Sequence, residues 1–534
     1  MQQQGYPPQG YPPPQGYPPQ DYSQQQQQYP PQGYGPPPPQ DQQYAYSQPP
    51  PPPNNNGYNN GYGDDKVPFE QAFKIEKPKY NDIWAGVLFV LTMAGYVVVS
   101  GIAIQGYAAT RGANGTGIYN GNSRDISINT NTLLLFVFCL CVAIVFSYGY
   151  VMLARAFPKQ LIWTTGILNI VWGLGTAIYM LYRKYYAGGI VFLIFVVFLI
   201  FAFISWIPRI PFSALMLRTV INVANHHGHV YMVSFTGGLI GAAFAAWFAV
   251  TFVAVYVKFA PSNDNPACRT GASGCSYAKV GGLIAFITFC SYWFSEWLKN
   301  TIHTTVSGVY GSWYFNSRAY PTGVTRGALR RSLTYSFGSI SLGSLIVAIV
   351  NFLRMLAQTA RDQSGQSGDM IAYIFFCVLS CLISLLQWVI EFVNRYAFSH
   401  IALYGRPYFQ SAKDTWKMIK DRGIDALVNE CLIGPVFSFG ATFIGFATAL
   451  LAFLYLEFTD PAYNSNGQYT VVIVAFAFLI GLQICNIFTT PLSSGIDTIF
   501  VASAWDPEVM IRDHGDLYHQ MVQVYPHVQQ AIHA

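Results

Sequence analysis

Glu296, Lys299 and His303 are spaced i, i+3 and i+7, which places three side chains on one helical face. They lie inside an apolar run, where an ionisable group is costly unless it faces a protein interior or a water-filled cavity. Trp293, Trp297, Tyr310, Trp313 and Tyr314 are close by in sequence. A carboxylate beside aromatic faces attracts a quaternary ammonium, a cation that donates no hydrogen bond and is held by ring quadrupoles and charge. Glu296, Trp293, Trp297 and His303 are therefore the candidate substrate-binding residues, with Glu296 or His303 as the groups able to carry a coupled proton. A second reading stays open, in which Glu296 and Lys299 neutralise each other and the aromatics form an interfacial belt.

Other polar residues in apolar surroundings fit structural roles. Glu391 and Arg395, spaced i, i+4, are expected to form an ion pair, with exchange of that pair during gating as the alternative. Asp497 and Arg354 are single charges near the ends of runs, for which snorkelling is explanation enough. Asn225-His226-His227-Gly228-His229 has metal-like composition but no neighbouring carboxylate or thiol, so a polar turn at a helix edge is the better reading. The chain contains no GxxxxGK[ST], Asp-Lys-Thr-Gly, Gly-x-Ser-x-Gly or His-Glu-x-x-His sequence. Those absences argue against an ATP-driven pump and against covalent catalysis, and no enzyme activity, metal or cofactor is expected.

The elements that must hold these residues are apolar helices. Of 534 residues, 52% are hydrophobic and 10% are Asp, Glu, Lys or Arg, whereas a soluble domain carries roughly 25% charged residues. Apolar runs recur near 83–105, 132–154, 160–182, 190–208, 231–257, 280–304, 333–357, 370–395, 431–457 and 471–495. Each is long enough to cross a hydrocarbon core of about 30 Å as a helix and far too long for a barrel strand. The expectation is an all-α, polytopic integral membrane protein of about ten transmembrane helices. Small residues, among them Gly237 with Gly241, Gly338-Ser339 with Gly343-Ser344, and Gly440 with Gly445, suit close helix packing.

Residues 1 to about 63 repeat a Gln-Gly-Tyr-Pro-Pro unit and then run into Pro and Asn tracts. Pro removes amide donors, and the near absence of Leu, Ile and Val leaves nothing to offset the entropy of ordering. The segment reads as a disordered tail, either simply solvated or docking proline-recognising cytosolic modules. The division expected is a tail over 1–80, a transmembrane domain over 81–500 and a C-terminal tail over 501–534.

With the N-terminus inside, the loops on that side hold thirteen Lys and Arg against eight in the opposite loops. That excess places both termini in the cytoplasm. Three features agree. Asn114-Gly115-Thr116, a glycosylation sequon, falls in the first external loop. Cys268 and Cys275 share a hydrophilic external loop, where a disulfide is expected in an oxidising compartment, while the other cysteines lie in or beside apolar runs. The net charge of +5 is small and scattered, so nucleic acid is not a partner. Arg406 to Asn429, with Trp416, Met418 and Ile419 as buried positions, reads as an amphipathic segment at the inner surface, attracted to anionic membrane lipid.

The C-terminal half resembles the choline transporter-like family of solute carriers. The matching stretches are Gly308-Val309-Tyr310-Gly311-Ser312-Trp313-Tyr314-Phe315, Gly338-Ser339-Ile340-Ser341-Leu342-Gly343-Ser344 and Asn394-Arg395-Tyr396-Ala397-Phe398. They continue with Ala402-Leu403-Tyr404-Gly405, Phe409-Gln410-Ser411-Ala412 and Asp497-Thr498-Ile499-Phe500. The resemblance covers about 280 to 505, and the short first external loop without cysteines is similar to the fungal plasma-membrane branch. It implies ten spans, a plasma-membrane location and movement of a small, choline-like organic solute without ATP. A channel or lipid-translocating protein of the same fold, and a membrane scaffold recruiting partners through the proline-rich tail, are the alternatives.

Overall fold

The computed structural model describes residues 79–114, 130–182, 184, 186–259, 261, 275–316, 321–422, 431–459 and 470–526. The Pro/Gln/Tyr tail, Cys268 and the side chain of Asn114 lie outside the described residues. So does the end of the expected amphipathic segment, 423–430.

Every regular element among the described residues is helical. The order is α1 (Ile83–Asn114), α2 (Thr130–Ala156), α3 (Pro158–Tyr182), α4 (Tyr186–Trp206), α5 (Ile210–His226), α6 (His229–Phe259), α7 (Tyr277–Phe315) and α8 (Val324–Leu333). It continues with α9 (Phe337–Ser367), α10 (Met370–Tyr404), α11 (Tyr408–Arg422), α12 (Ile433–Thr459), α13 (Thr470–Trp505), α14 (Pro507–Asp513) and α15 (Gly515–Val524). Ten stretches are long and apolar enough to cross a membrane, α4 and α5 counting as one. Alternation of ten spans brings the start of α1 and the end of α13 to one face of the bundle, the near face. The opposite, far face holds the start of α7 and the turn between α9 and α10.

Two segments differ from expectation. The fourth apolar run does not stop at 208: a 3-10 turn over Ile207–Arg209 leads directly into α5, with prolines at 208 and 211 where the two helices join. Proline cannot supply the amide of an internal helical bond, so the α-helix is interrupted there. Met216, Leu217, Val220 and Ile221 of α5 are then fully buried. At the other end of the chain, α13 runs to Trp505, and α14 and α15 fold back against the bundle with Met510 and Met521 buried. Residues 507–524 are thus packed structure.

The packing is centred on α7, α9 and α13 and on the last part of α10. Half of the most apolar stretch of α9 is buried (50%), against 6% of that of α10. The first part of α10 therefore presents its apolar side chains outward, as a lipid-facing helix must. Asn394 and Tyr396 to Leu403, nearer its end, are buried.

Candidate functional site

His303 stands where α7, α10 and α13 meet. Its Nδ1 is 2.9 Å from Ser494 Oγ, and its Nε2 is 2.9 Å from the Arg395 carbonyl oxygen and 3.0 Å from Ser399 Oγ. A carbonyl only accepts, so the contact with Arg395 assigns the hydrogen to Nε2 and leaves Nδ1 to accept from the Ser494 hydroxyl. The polar network continues through Ser307 Oγ, 3.3 Å from Ser399 Oγ. Asn300 Nδ2 donates to Ser344 Oγ at 2.9 Å. Within the Gly338–Ser344 stretch the Ser344 hydroxyl thus serves as a partner for α7, beside small residues for close packing.

Arg395 Nε lies 3.7 Å from Asp497 Oδ2 across the α10–α13 interface, with the Asp497 side chain 8% exposed and that of Arg395 53%. This corrects two expectations. Asp497 is not a snorkelling charge but a buried carboxylate with a cation beside it. Arg395 does not pair with Glu391, which accepts from Gln387 Nε2 at 2.8 Å; Gln387 Oε1 in turn accepts from Arg354 Nη1 at 2.9 Å. Spacing made Glu391 and Arg395 neighbours on the helix, but the desolvated carboxylate gains more from the guanidinium than one already served by an amide.

Glu296 is paired with Lys299, Nζ lying 3.2 Å from Oε2 and 3.5 Å from Oε1. The Lys299 side chain is 58% exposed and that of Glu296 14%. Lys299 is one turn before His303 on α7, and Arg395 supplies the carbonyl bonded to its ring, so two exposed cations flank the histidine. Arg395 lies about 13 Å from the end of α10 by helix rise. Charges exposed along spanning helices favour water rather than hydrocarbon around them, so the side of α7, α10 and α13 that carries Lys299 and Arg395 is a candidate hydrated recess.

The tryptophans occupy a different side of α7. Trp293 is 1% exposed and donates from Nε1 to the Ser341 carbonyl at 3.0 Å. Its ring meets Phe89 edge-on at 5.3 Å, while Trp297 stacks on Phe89 at 5.0 Å and meets Phe337 edge-on at 5.8 Å. Of the four candidates, Glu296 and His303 border the recess; Trp293 and Trp297 form an aromatic wall against α1 and α9. The Trp297 Nε1 is buried without a hydrogen-bond partner.

Below His303, toward the near face, aromatic residues close the bundle. Tyr310 OH donates to the Val220 carbonyl at 2.9 Å. Gly495 lies against the Tyr310 ring, and a Cβ there would overlap it, so the residue must be glycine for α13 to come this close. Tyr314 OH donates to the Asp506 carbonyl at 2.8 Å, and Tyr404 OH to Asp506 Oδ2 at 2.6 Å. His514, at the start of α15, bonds through Nε2 to the Tyr314 carbonyl at 2.9 Å, its ring 4.3 Å from that of Trp313.

Sequence reasoning missed a second near-face contact. Asp82 Oδ2 accepts from Ser339 Oγ at 2.6 Å and from the Tyr408 amide at 2.8 Å, and Asn81 Nδ2 donates to the Gly405 carbonyl at 2.7 Å. The start of α1 is thereby latched to α9 and to the turn between α10 and α11. Asp82 adopts φ 51, and Gly338 lets its backbone approach where a Cβ would overlap it. An Asn-Asp pair before an apolar run signals a helix start, but nothing local indicates partners some 250 to 330 residues away.

The model of the family described as plasma-membrane choline transporter matches residues 190–508. The chain belongs to that family. Its match begins at the fourth span, well before the 280 from which the motifs alone resemble the family. Curated relatives cover nearly the whole chain. The Protein PNS1 of Gibberella zeae is 61% identical over 503 residues, spanning 93% of this chain and 93% of its own. The protein of that name from Neurospora crassa is 61% identical over 507 residues, 94% of this chain and 91% of its own. That of Saccharomyces cerevisiae is 38% identical over 468 residues, 86% and 87% respectively. The family model and the ten candidate spans together make this a multi-pass, transporter-like membrane protein of the fungal branch.

Proposed function

We propose that the chain is a plasma-membrane secondary transporter, both termini cytoplasmic, that moves a small organic solute of choline-like, cationic character by alternating access. The observation that carries this reading is the cluster around His303. Two acidic groups, each beside a basic partner, and a doubly bonded imidazole lie inside the membrane-spanning bundle, above a closed aromatic layer. With the near face assigned to the cytoplasm by loop charge, the recess faces outward.

Glu296 is the group that would meet a cationic solute. Lys299, its present partner, is largely exposed and free to swing into water, so an entering cation can replace it on the carboxylate at little cost. Trp293 and Trp297, on the other side of α7, hold the helix that carries that carboxylate against α1 and α9. Inward opening would break the Tyr314 and Tyr404 bonds to Asp506 and part the α1 latch, while the Arg395–Asp497 contact shifts between α10 and α13. No covalent chemistry is involved.

The test is uptake of labelled choline and related ammonium compounds into proteoliposomes. Saturable uptake that Glu296→Gln severely reduces supports the proposal; saturable uptake unchanged by that substitution overturns the site. Flux that never saturates favours a channel, movement of labelled lipid favours translocation, and a phenotype lost with residues 1–63 while flux persists favours the scaffold reading. The extracellular assignments are separate: a glycosidase-sensitive shift abolished by Asn114→Gln, and a reduction-sensitive link between Cys268 and Cys275.

A further inference from the structure

The start of α1 and the start of α9 enclose a groove of about 330 Å³ that shares Asn81 and Gly338 with the latch and Phe337 with the aromatic wall. It is lined mainly by Tyr80, Ile83, Val87, Val90, Leu91 and Phe337. Ile83, Val87, Val90 and Leu91 are each more than half exposed, and from Ile83 to Leu91 the lining climbs about 12 Å into the membrane by helix rise. An apolar slot of this kind in a membrane-spanning bundle is filled by hydrocarbon.

The near-face end of the groove has a different chemistry. Lys79 is exposed and immediately precedes Tyr80. Arg330, also exposed, lies one helical turn before Thr334, a lining residue whose hydroxyl donates to the Arg330 carbonyl at 2.6 Å. The Tyr80 and Tyr335 rings, 4.7 Å apart, bring the two segments together. Among the described residues neither cation has a carboxylate partner. On α8, Leu329 and Leu333 are exposed beside Arg330, the mixture expected of a helix lying at a lipid headgroup layer. An apolar slot whose lining residues Tyr80 and Thr334 stand next to Lys79 and one helical turn from Arg330, two cations without a carboxylate partner among the described residues, matches an amphiphile with an anionic head.

We propose that this groove binds an anionic phospholipid of the near-face leaflet, one acyl chain lying along Ile83 to Leu91 and the phosphate held between Lys79 and Arg330. The lipid packs over the Asn81–Asp82 latch, so its binding braces the start of α1 against α9. The proposal is independent of which solute the protein moves, and it fits the cytoplasmic leaflet, where anionic lipids are concentrated.

The full chain in nanodiscs of mixed phosphatidylserine and phosphatidylcholine, mildly delipidated and examined by native mass spectrometry, tests it. The expected result is preferential retention of one phosphatidylserine, with the preference falling roughly thirtyfold in a Lys79→Gln/Arg330→Gln variant, two surface cations contributing about a factor of five each. Val87→Trp, which fills the slot, should remove the retained lipid altogether. Lys417→Gln/Lys420→Gln removes the same charge from exposed positions of α11 and should leave retention unchanged. Inorganic phosphate should not displace the lipid. Equal losses in the two double variants, retention in Val87→Trp, or displacement by phosphate alone would each overturn the proposal.

Discussion

The guanidinium of Arg395 and the carboxylate of Asp497 face each other at 3.7 Å, one largely exposed and the other buried. The asymmetry decides which substitution is worse. Arg395→Ala strands a buried charge, a change that costs about 3–5 kcal/mol in comparable settings. Asp497→Asn leaves a cation that already reaches water and keeps the shape of its partner, so about 1 kcal/mol is expected. Thermal unfolding of the detergent-solubilised variants, followed by tryptophan fluorescence, should show the Arg395→Ala shift to be clearly the larger. Equal shifts would mean that Asp497 is served by something other than Arg395.

Lys299 and Glu296 make the opposite case, because here the exposed partner is the one that competes with solute. Lys299→Ala frees the carboxylate and should lower the half-saturating concentration of a cationic solute severalfold, while Glu296→Gln raises it or abolishes uptake. Opposite signs from two residues 3.2 Å apart are not expected of a purely structural pair, for which both substitutions would act alike on folded yield.

At His303 each ring nitrogen is occupied. His303→Ala removes the partner of Ser494 and takes one donor from the Arg395 carbonyl, leaving buried polar groups at about 1–3 kcal/mol each. His303→Gln retains one donor and one acceptor and should recover a large part of that loss. Folded yield and melting temperature of the two variants check the ranking; an alanine variant as stable as glutamine would show that the network adds little.

The ten spans were legible because twenty consecutive apolar residues have few alternatives in water or lipid. The continuation into α5 was not, since the apolar run ends near Pro208 and hydropathy alone does not register a helix that resumes after the proline break. Within the site, residues on one helix were easier to read than residues between helices. Glu296 and Lys299 pair as local spacing allows, whereas Arg395 meets Asp497, 102 positions away, rather than the i−4 carboxylate. Asp82 illustrates the same limit, its partners Ser339 and Tyr408 being visible only once α1, α9 and α11 are folded together.

His514 makes the docking of α14 and α15 sensitive to pH. Burial holds its imidazole below the usual range, opposed by the hydrogen bond to Tyr314 and by the charge of Asp513. A histidine whose folded value is lowered favours the docked state fully above its undocked value of about 6.5, and that contribution is lost as pH falls through the lower, docked value. The groups facing the ring are Trp313 and Tyr314 from α7 and Asp513 on its own segment. The protection factor of residues 507–524, the intrinsic exchange rate at each pH divided by the observed one, should therefore be high near pH 7.5 and fall below pH 6.5, by at most about tenfold per pH unit for one proton. His514→Gln, which cannot take up the proton, should flatten this dependence while keeping a donor for the Tyr314 carbonyl. Unchanged pH dependence in that variant would assign the effect to another group.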